Sequence, residues 1–484
     1  MDTFFKGRIP LDTLEEMRPE VLQVWPAGVS VNLEETVEFL ANEPRRRNLA
    51  LRMLEAKEKG ETLVQPRGGR LRLEEHLRLL QSLEQDGGAD ILPTTLDNRT
   101  RMGRFQELET ELHSSGENPD HGTGFPVVNH GVMGGRYITS QVGLPVQVRH
   151  VAVDARLVAE TAIAGGFTGI EGGGISVNIP YLKDMPLERS IALWQYVDRL
   201  AGLMGEKGVP IHREPFGGFM GGALLPPCLS HSIGILEGLL AAEQGVQHLS
   251  LGYMQTGNLL QDLAGLLTLL ELGREYFHRM GYPQVVLTTV FHQWMGGLPQ
   301  DESRAYAVIV WGAVTAALGG ANKIMVRSPR DATGFPGVEA INAGLKASKQ
   351  SINMVKQQQQ AFGDHPGLEE EKELLRVETR SILDKVLELG EGNVAAGVVE
   401  AFNRGVIDIP FSTSRINAGR VLPVRDIHGA VRLLEPGNLP LPSEVLAIHA
   451  FRVKERGRQE NRAPSFQMVL DDIYAIGKGM LRGK

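Results

Sequence analysis

Phe167-Thr-Gly-Ile-Glu171-Gly-Gly-Gly174-Ile-Ser-Val-Asn-Ile-Pro-Tyr181 leads into Leu187 to Gly208, where Ile191, Trp194, Val197, Leu200, Ala201 and Met204 recur at three- and four-residue steps and a glycine closes the end. An extended run, a glycine-rich loop, an amphipathic helix and a further extended run at 209–213 make one βαβ unit. The alternation continues in both directions. Turn-bounded apolar runs recur near 62–67, 89–96, 125–130, 144–150, 167–172, 209–213, 247–253, 284–291 and 321–327, with further helical patterns at 235–245 and 304–318. Eight or so successive units predict an α/β fold of the (β/α)8 TIM-barrel type over an open sheet. Nine candidate strands mean that one lies outside the barrel or is not a strand.

The chain's 484 residues exceed what one core usually serves, so a barrel of roughly 250 to 300 residues with appended segments is expected. Residues 1–50 read as an N-terminal arm, 51–360 as the catalytic barrel, and 361–484 as an α+β, loop-rich C-terminal segment packing near the barrel mouth or a partner. A polar, turn-rich passage after Gln357 marks the last boundary. A charged helix follows over roughly Leu368 to Gly390, and clean periodicity is then lost up to about Pro442.

Composition excludes several function classes. Net charge is -8 with both signs interspersed, so there is no basic footprint for nucleic acid and no polybasic stretch for a membrane surface. The longest apolar run, Ala305 to Leu318, is too short for a membrane span, and the N-terminus has no signal-peptide core. One cysteine, Cys228, in apolar Leu-Pro-Pro-Cys-Leu, reads as buried and inert, and a soluble cytoplasmic protein is expected.

Chemistry in a barrel belongs to the C-terminal strand ends. Three arginines fall where apolar runs give way to loop: Arg67 in Val-Gln-Pro-Arg-Gly, Arg101 after Ile-Leu-Pro-Thr-Thr-Leu-Asp, and Arg149 in Val-Gln-Val-Arg-His. On neighbouring parallel strands they converge on one mouth and suit a small molecule with two carboxylates, since a guanidinium grips a carboxylate through two parallel hydrogen bonds. Singly, each is more often a structural salt bridge. Glu171 follows in the next run and can hold an ammonium group. Gly172, Gly173 and Gly174 remove side chains where something bulky approaches the backbone, or form an ordinary loop. The stretches 212–216 and 291–303 are richer in polar and aromatic groups than strand-to-helix loops need, although part of the second is helix capping.

The first strand carries Gln65-Pro66-Arg67 in place of the His-x-His of a metal-dependent barrel hydrolase. The chain has no P-loop, no Cys-x-x-Cys and no nucleophile elbow, and no metal site is expected. Lys323 is a weak candidate for a Schiff base. With groups for gripping substrate plentiful and acids, bases and nucleophiles scarce, the hard step falls to a cofactor.

Gln65-Pro-Arg67-x-Gly69, Thr100-Arg101-x-x-Arg104, Gln147-Val-Arg149-His150, Glu171-Gly-Gly-Gly-Ile-Ser, Asn178-x-Pro-Tyr181, His212-Arg-Glu-Pro-Phe216, Val290-Phe-His-Gln-Trp-Met-Gly-Gly, Pro299-Gln-Asp-Glu-Ser303 and Ser465-Phe-Gln-Met-Val-x-Asp-Asp together resemble the epsilon subunit of glutamate (methylaspartate) mutase, from about Val21 to Gly479. The resemblance implies the catalytic subunit of an adenosylcobalamin-dependent isomerase that interconverts L-glutamate and threo-3-methyl-L-aspartate by a radical rearrangement, in which a glycyl radical and acrylate separate and recombine. It also implies a small cobalamin-binding (sigma) partner, with two copies of this chain in a heterotetramer.

Carried over position by position, the resemblance assigns Arg67, Arg101, Arg149, His150, Glu171, Val177 and Tyr181 to the substrate pocket, with Glu171 and Arg149 central to catalysis. Gly69, Thr123, Pro180, Leu298, Arg327, Asp331 and Phe335 fall to the coenzyme. Several positions depart from the family pattern. Val177 replaces a tyrosine, Thr123 an asparagine, Leu298 a phenylalanine, Arg327 a lysine, Asp331 a glutamate and Phe335 an isoleucine; Arg327 and the shorter Asp331 are expected to compensate as a pair. Asp426-Ile-His428-Gly429 resembles a cobalt-ligating signature, but position 431 is Val and no cobalamin-domain pattern follows. His428 therefore reads as a loop residue, and the cobalt ligand is expected from another chain. Two rivals are a diverged mutase acting on another amino acid or dicarboxylate, and a non-catalytic barrel that binds a dicarboxylate.

Overall fold

The computed structural model describes residues 3–113, 124–149, 152, 154–331, 336–356, 358 and 365–483. Eight parallel strands form one sheet: β1 (Leu63–Pro66), β2 (Leu92–Thr95), β3 (Val146–Arg149), β4 (Gly169–Glu171), β5 (His212–Glu214), β6 (His248–Met254), β7 (Val286–His292) and β8 (Lys323–Val326). Neighbours follow chain order from β2 to β8, and β8 pairs with β1. The remaining gap is bridged by the Asp90 amide donating to the Val64 carbonyl at 3.0 Å and the Thr95 amide to the Gly68 carbonyl at 2.9 Å. The ring is a (β/α)8 barrel.

Eight of the nine expected strands are present. The exception is 125–130, where Phe125 makes a single bridge to Leu96 and the helical segment Val127–Ser140 begins directly after Pro126. Phe-Pro-Val-Val has a strand's composition, but Pro126 has no N–H for a ladder and a fixed φ that suits a helix start. The helix Leu187–Glu206 matches its periodicity and is buried over most of its length. The N-terminal residues lie along it: the Phe5 amide donates to Gln195 Oε1 at 2.8 Å and the Gln195 side-chain amide returns a bond to the Phe5 carbonyl at 3.0 Å.

Beyond the barrel, the helix Pro366–Leu389 packs on Leu259–Arg279, tied to it by Tyr276, whose hydroxyl donates to Asp384 at 2.8 Å. The stretch without clear periodicity holds a helix, Val394–Arg404, and an antiparallel hairpin of β9 (Val421–Arg425) and β10 (Val431–Pro436). Asn393 caps that helix through the Ala396 amide at 2.8 Å and Gly405, with φ 70°, closes it. Arg425 donates to the Thr256 carbonyl at 2.5 Å and the Gln261 side-chain amide to the Val431 carbonyl at 3.1 Å. The helix Phe466–Ile476 leads to Gly477, whose backbone lies so close to Gly297 that a side chain at Gly297 would collide with it. The C-terminal segment thus covers loops that follow β6 and β7, at the end where barrel chemistry sits. Among the described residues no helix is long and apolar enough to cross a membrane.

Candidate active site

The barrel interior is polar where most barrels are filled by branched aliphatic residues. Gln147 and Arg149 of β3, Glu171 of β4, Glu214 of β5, Lys323 of β8 and Gln65 of β1 are all fully buried. Arg149 donates from Nη1 to Gln65 Oε1 at 3.1 Å, Gln147 Oε1 at 3.2 Å and Glu214 Oε1 at 3.0 Å, and from Nη2 to Glu171 Oε1 at 2.6 Å. Lys323 donates to Gln65 at 2.8 Å, to Gln147 at 2.9 Å and to the second oxygen of Glu214. Burial pushes the Glu214 carboxyl up, but the Lys323 and Arg149 cations outweigh it and hold the group well below the usual carboxylate range. Lys323 is a charged strut whose ammonium is paired with Glu214, and the Schiff-base reading does not survive this geometry.

Arg149 is therefore not a freely reaching claw. Its terminal nitrogens are taken, and only Nε is buried without a hydrogen-bond partner among the described residues. Arg67 differs. Among the described residues its Nε also has no partner, and Nη2 meets only the Met295 sulfur at 3.4 Å. Burial, followed by the charges of Arg327 and Arg149, brings its pKa down to about 10, which still leaves it charged at neutral pH. Arg101 lies beyond the end of β2, on the one-turn helix Asn98–Arg101, and its Nε is likewise buried and unpartnered. A short helix capped by Asp97, which accepts from the Arg99 amide at 2.8 Å, sets its direction. Tyr181, about half exposed at 49%, links the group: partial desolvation raises its hydroxyl pKa, and the charges of Arg101, Glu171 and Arg67 all act on it. Its ring meets Phe219 edge-on at 5.8 Å.

The sequence model of the methylaspartate mutase E chain matches residues 43–484. Three relatives, each called glutamate mutase epsilon subunit, are similar over nearly their full length. That of Desulfitobacterium hafniense is 53% identical over 96% of both chains. That of Yersinia enterocolitica is 48% identical over 99% of this chain and 98% of its own, and that of Fusobacterium nucleatum 34% over the same shares. The chain belongs to the methylaspartate mutase E chain family. This is a family of isomerases, and the likeness reaches into the first twenty residues, which the motifs alone had left outside it.

Within this mutase-family site, the three glycines after β4 serve the protein's own packing. Gly172 has φ 120° and leaves room for Trp194, 2.8 Å from where a Cβ would stand; a side chain at Gly173 would overlap the Glu237 carboxylate, and Gly174 presses on the backbone of Ser190 and Ile191. Glu237 Oε1 accepts from the Ile175 amide at 2.7 Å and the Ser176 amide at 2.9 Å, fixing the turn that carries Val177, Pro180 and Tyr181. Sequence reasoning missed Glu237, which lies 61 residues from Ser176 in the chain. Val177 is buried in the core, Pro180 is half-buried beside Tyr181, and Leu298 is buried with Trp294, Leu224 and Ile309. Gly69 faces the Thr95 and Gly124 backbone at distances no side chain could keep.

Arg327 and Asp331 form the expected ion pair just past β8, where Arg327 also donates to the Trp294 carbonyl at 2.5 Å. Its charge acts on Arg67, so the positions assigned to coenzyme and to substrate share one mouth. His150, Thr123 and Phe335 lie outside the described residues. His428 sits in the β9–β10 turn, closed by Asp426 Oδ1 accepting from the amides of His428 at 2.9 Å and Ala430 at 3.0 Å; it is a loop residue. Cys228 is buried, with its thiol pKa raised by burial.

Proposed function

We propose that this chain is the catalytic subunit of an adenosylcobalamin-dependent mutase interconverting L-glutamate and threo-3-methyl-L-aspartate, working in the cytoplasm with a small cobalamin-binding (sigma) subunit, two copies of each chain forming a heterotetramer. The observation that carries the reading is the set of buried Nε atoms on Arg67, Arg101 and Arg149 that have no partner among the described residues, on side chains close enough for Arg149 to act on Arg67 and for Arg67 and Arg101 to act on Tyr181, in a chain whose relatives are named glutamate mutase epsilon subunit. Buried donors without partners are costly unless a ligand satisfies them. Charge agrees. Arg149 and Lys323 are paired with Glu171 and Glu214, Arg67 and Arg101, which both act on Tyr181, add two further positive charges, and a diacid with one ammonium carries a net single negative charge.

In this reading Arg67 and Arg101 hold the substrate carboxylates, Glu171 takes the ammonium, and Arg149 fixes Glu171 while offering Nε. The Arg327–Asp331 pair and the backbone near Gly69 and Pro180 would hold the coenzyme, and the pair's place beside Arg67 supports the fit. When bound, adenosylcobalamin supplies the organic radical that initiates hydrogen abstraction. The chain's own task is retention: charged anchors on both ends of the substrate keep separated pieces in place, and the C-terminal segment over the mouth limits water.

The test is an anaerobic assay of the purified chain with coenzyme and small subunit, following methylaspartate formation from L-glutamate. Coenzyme-dependent turnover is expected; no conversion by a folded, coenzyme-loaded assembly would overturn the assignment. Val177 favours one second reading, a diverged mutase, because a buried valine stands where the family pattern has a hydroxyl. A substrate panel that turns over another amino diacid but not L-glutamate selects it.

A further inference from the structure

One oxygen of Glu171, one oxygen of Glu214 and one ring nitrogen of His292 lie within 4.8 Å of one another, and all three residues are buried. They stand at the C-terminal ends of β4, β5 and β7. The His292 ring lies flat on Phe216, 3.6 Å between centroids with 9° between planes, and neither ring nitrogen has a hydrogen-bond partner among the described residues. Such a buried imidazole is a group waiting for a ligand. Burial, then the nearby charge of Arg149, holds it well below its ordinary pKa despite the opposing pull of Glu214. It is therefore neutral, and one ring nitrogen is an acceptor.

Three acceptors around one point suit a cation with three donors. Acceptors at tetrahedral positions about 2.8 Å from an ammonium nitrogen stand about 4.6 Å apart, inside the observed limit. A divalent metal suits the place less well. Arg149 already bridges Glu171 and Glu214, and Lys323 holds the second oxygen of Glu214, so a dication would share both carboxylates with two fixed positive charges. An ammonium adds one charge and brings its own three donors.

We propose that Glu214 and His292 complete, with Glu171, a three-acceptor seat for the substrate's primary ammonium, so that the site selects an amino diacid over the same diacid without its amine. This rests on the mutase reading above and extends it to two residues that neither the motif carry-over nor the arginine pattern assigns. Lys323 is then a positioning residue, turning Glu214 toward the seat. The amine end is held by the barrel core, and the carboxylate ends by the rim.

The test uses the full chain reconstituted with coenzyme and small subunit, comparing the KM for L-glutamate with the inhibition constant of glutarate, which has both carboxylates and no amine. His292→Phe keeps the ring stack on Phe216 and removes the acceptor. It is expected to raise the KM for L-glutamate about tenfold, the loss of one charge-assisted hydrogen bond, while glutarate inhibition stays within about twofold of wild type; His292→Asn, which restores an acceptor, recovers part of the loss. If both ligands weaken together, or neither changes, the seat is wrong and the mutase reading stands. If the wild-type assembly binds neither ligand, the mutase reading fails and this inference falls with it. Stoichiometric zinc binding by the wild-type chain that disappears in both variants would overturn the ammonium assignment in favour of a metal.

Discussion

Arg149 Nη2 donates to Glu171 Oε1 at 2.6 Å, and neither side chain reaches solvent. The same guanidinium reaches Glu214 at 3.0 Å, so one planar fork sets the separation of two carboxylates on adjacent strands. A lysine keeps the charge but is a point donor on a flexible stem and cannot span both. Arg149→Lys is therefore expected to leave the fold intact and reduce kcat/KM by about a hundredfold or more, since misplacing a substrate-binding group by about 1 Å costs that much. Steady-state kinetics of the reconstituted enzyme, with circular dichroism as the control for folding, make the check. Wild-type kinetics would remove Arg149 from the site.

Glu237 gives a pH signature. Burial raises its pKa from 4.5 to about 7, against the pull of the Ser176 and Ile175 hydrogen bonds. A carboxyl with a raised folded-state pKa retains a proton that the unfolded chain releases, so its contribution to stability is lost as pH rises from about 4.5 to 7. Glu237→Gln cannot ionise and still presents an oxygen to the two amides. Relative to wild type the variant should gain unfolding free energy between pH 5 and 8, by up to roughly 3 kcal/mol. Urea unfolding at pH 5, 6.5 and 8 measures this; a difference that is flat with pH, or of opposite sign, would show that the carboxyl is ionised throughout.

The barrel was legible because strand, loop and helix repeat locally, and the helix from Leu187 to Glu206 carries its periodicity on its own. Arg67, Arg149 and Glu171 could be read off strand ends for the same reason. Nothing local shows what those ends touch. Lys323 meets Gln65 across 258 residues and Glu214 across 109, so the charged lattice that occupies the Arg149 fork is a product of barrel closure. Phe125 to Val128 misled because apolar composition outweighed a proline that sets a helix start. The glycines after Glu171 announced close approach but not by what, since Trp194 and Glu237 arrive from distant helices. The hairpin and helix beyond residue 390 are short, although Asn393 and Gly405 mark the helix ends.

Arg327 and Asp331 pair four residues apart at the edge of the mouth. With Asp331 removed, Arg327 retains the Trp294 and Gly296 carbonyls, but these hold one corner of its fork and leave Nε unpaired. Asp331→Ala is expected to weaken coenzyme binding about tenfold, a typical loss for one charge-assisted contact, and to change global stability by less than about 1 kcal/mol because the pair is only partly buried. Equilibrium titration of the assembled enzyme with coenzyme, followed by absorbance, reads the first effect and thermal unfolding the second. Unchanged coenzyme affinity would mean that the pair only closes the loop after β8.

Val177 offers a direct test of whether the tyrosine hydroxyl that the resemblance places at this position matters. Its Cγ2 lies 3.2 Å from where a Cβ at Gly172 would stand, and only 6% of the residue is exposed. A tyrosine has to displace the Gly172 and Trp194 neighbourhood or swing the turn toward the mouth. Overpacking of this kind costs about 1–3 kcal/mol. Val177→Tyr is therefore expected to lower the melting temperature by several degrees without raising kcat/KM for L-glutamate, because the turn's amides stay pinned to Glu237. Thermal unfolding and substrate kinetics on the same preparation decide it. A variant of unchanged stability with improved glutamate turnover would show that the turn does present position 177 to the substrate, and that the valine was limiting the reaction.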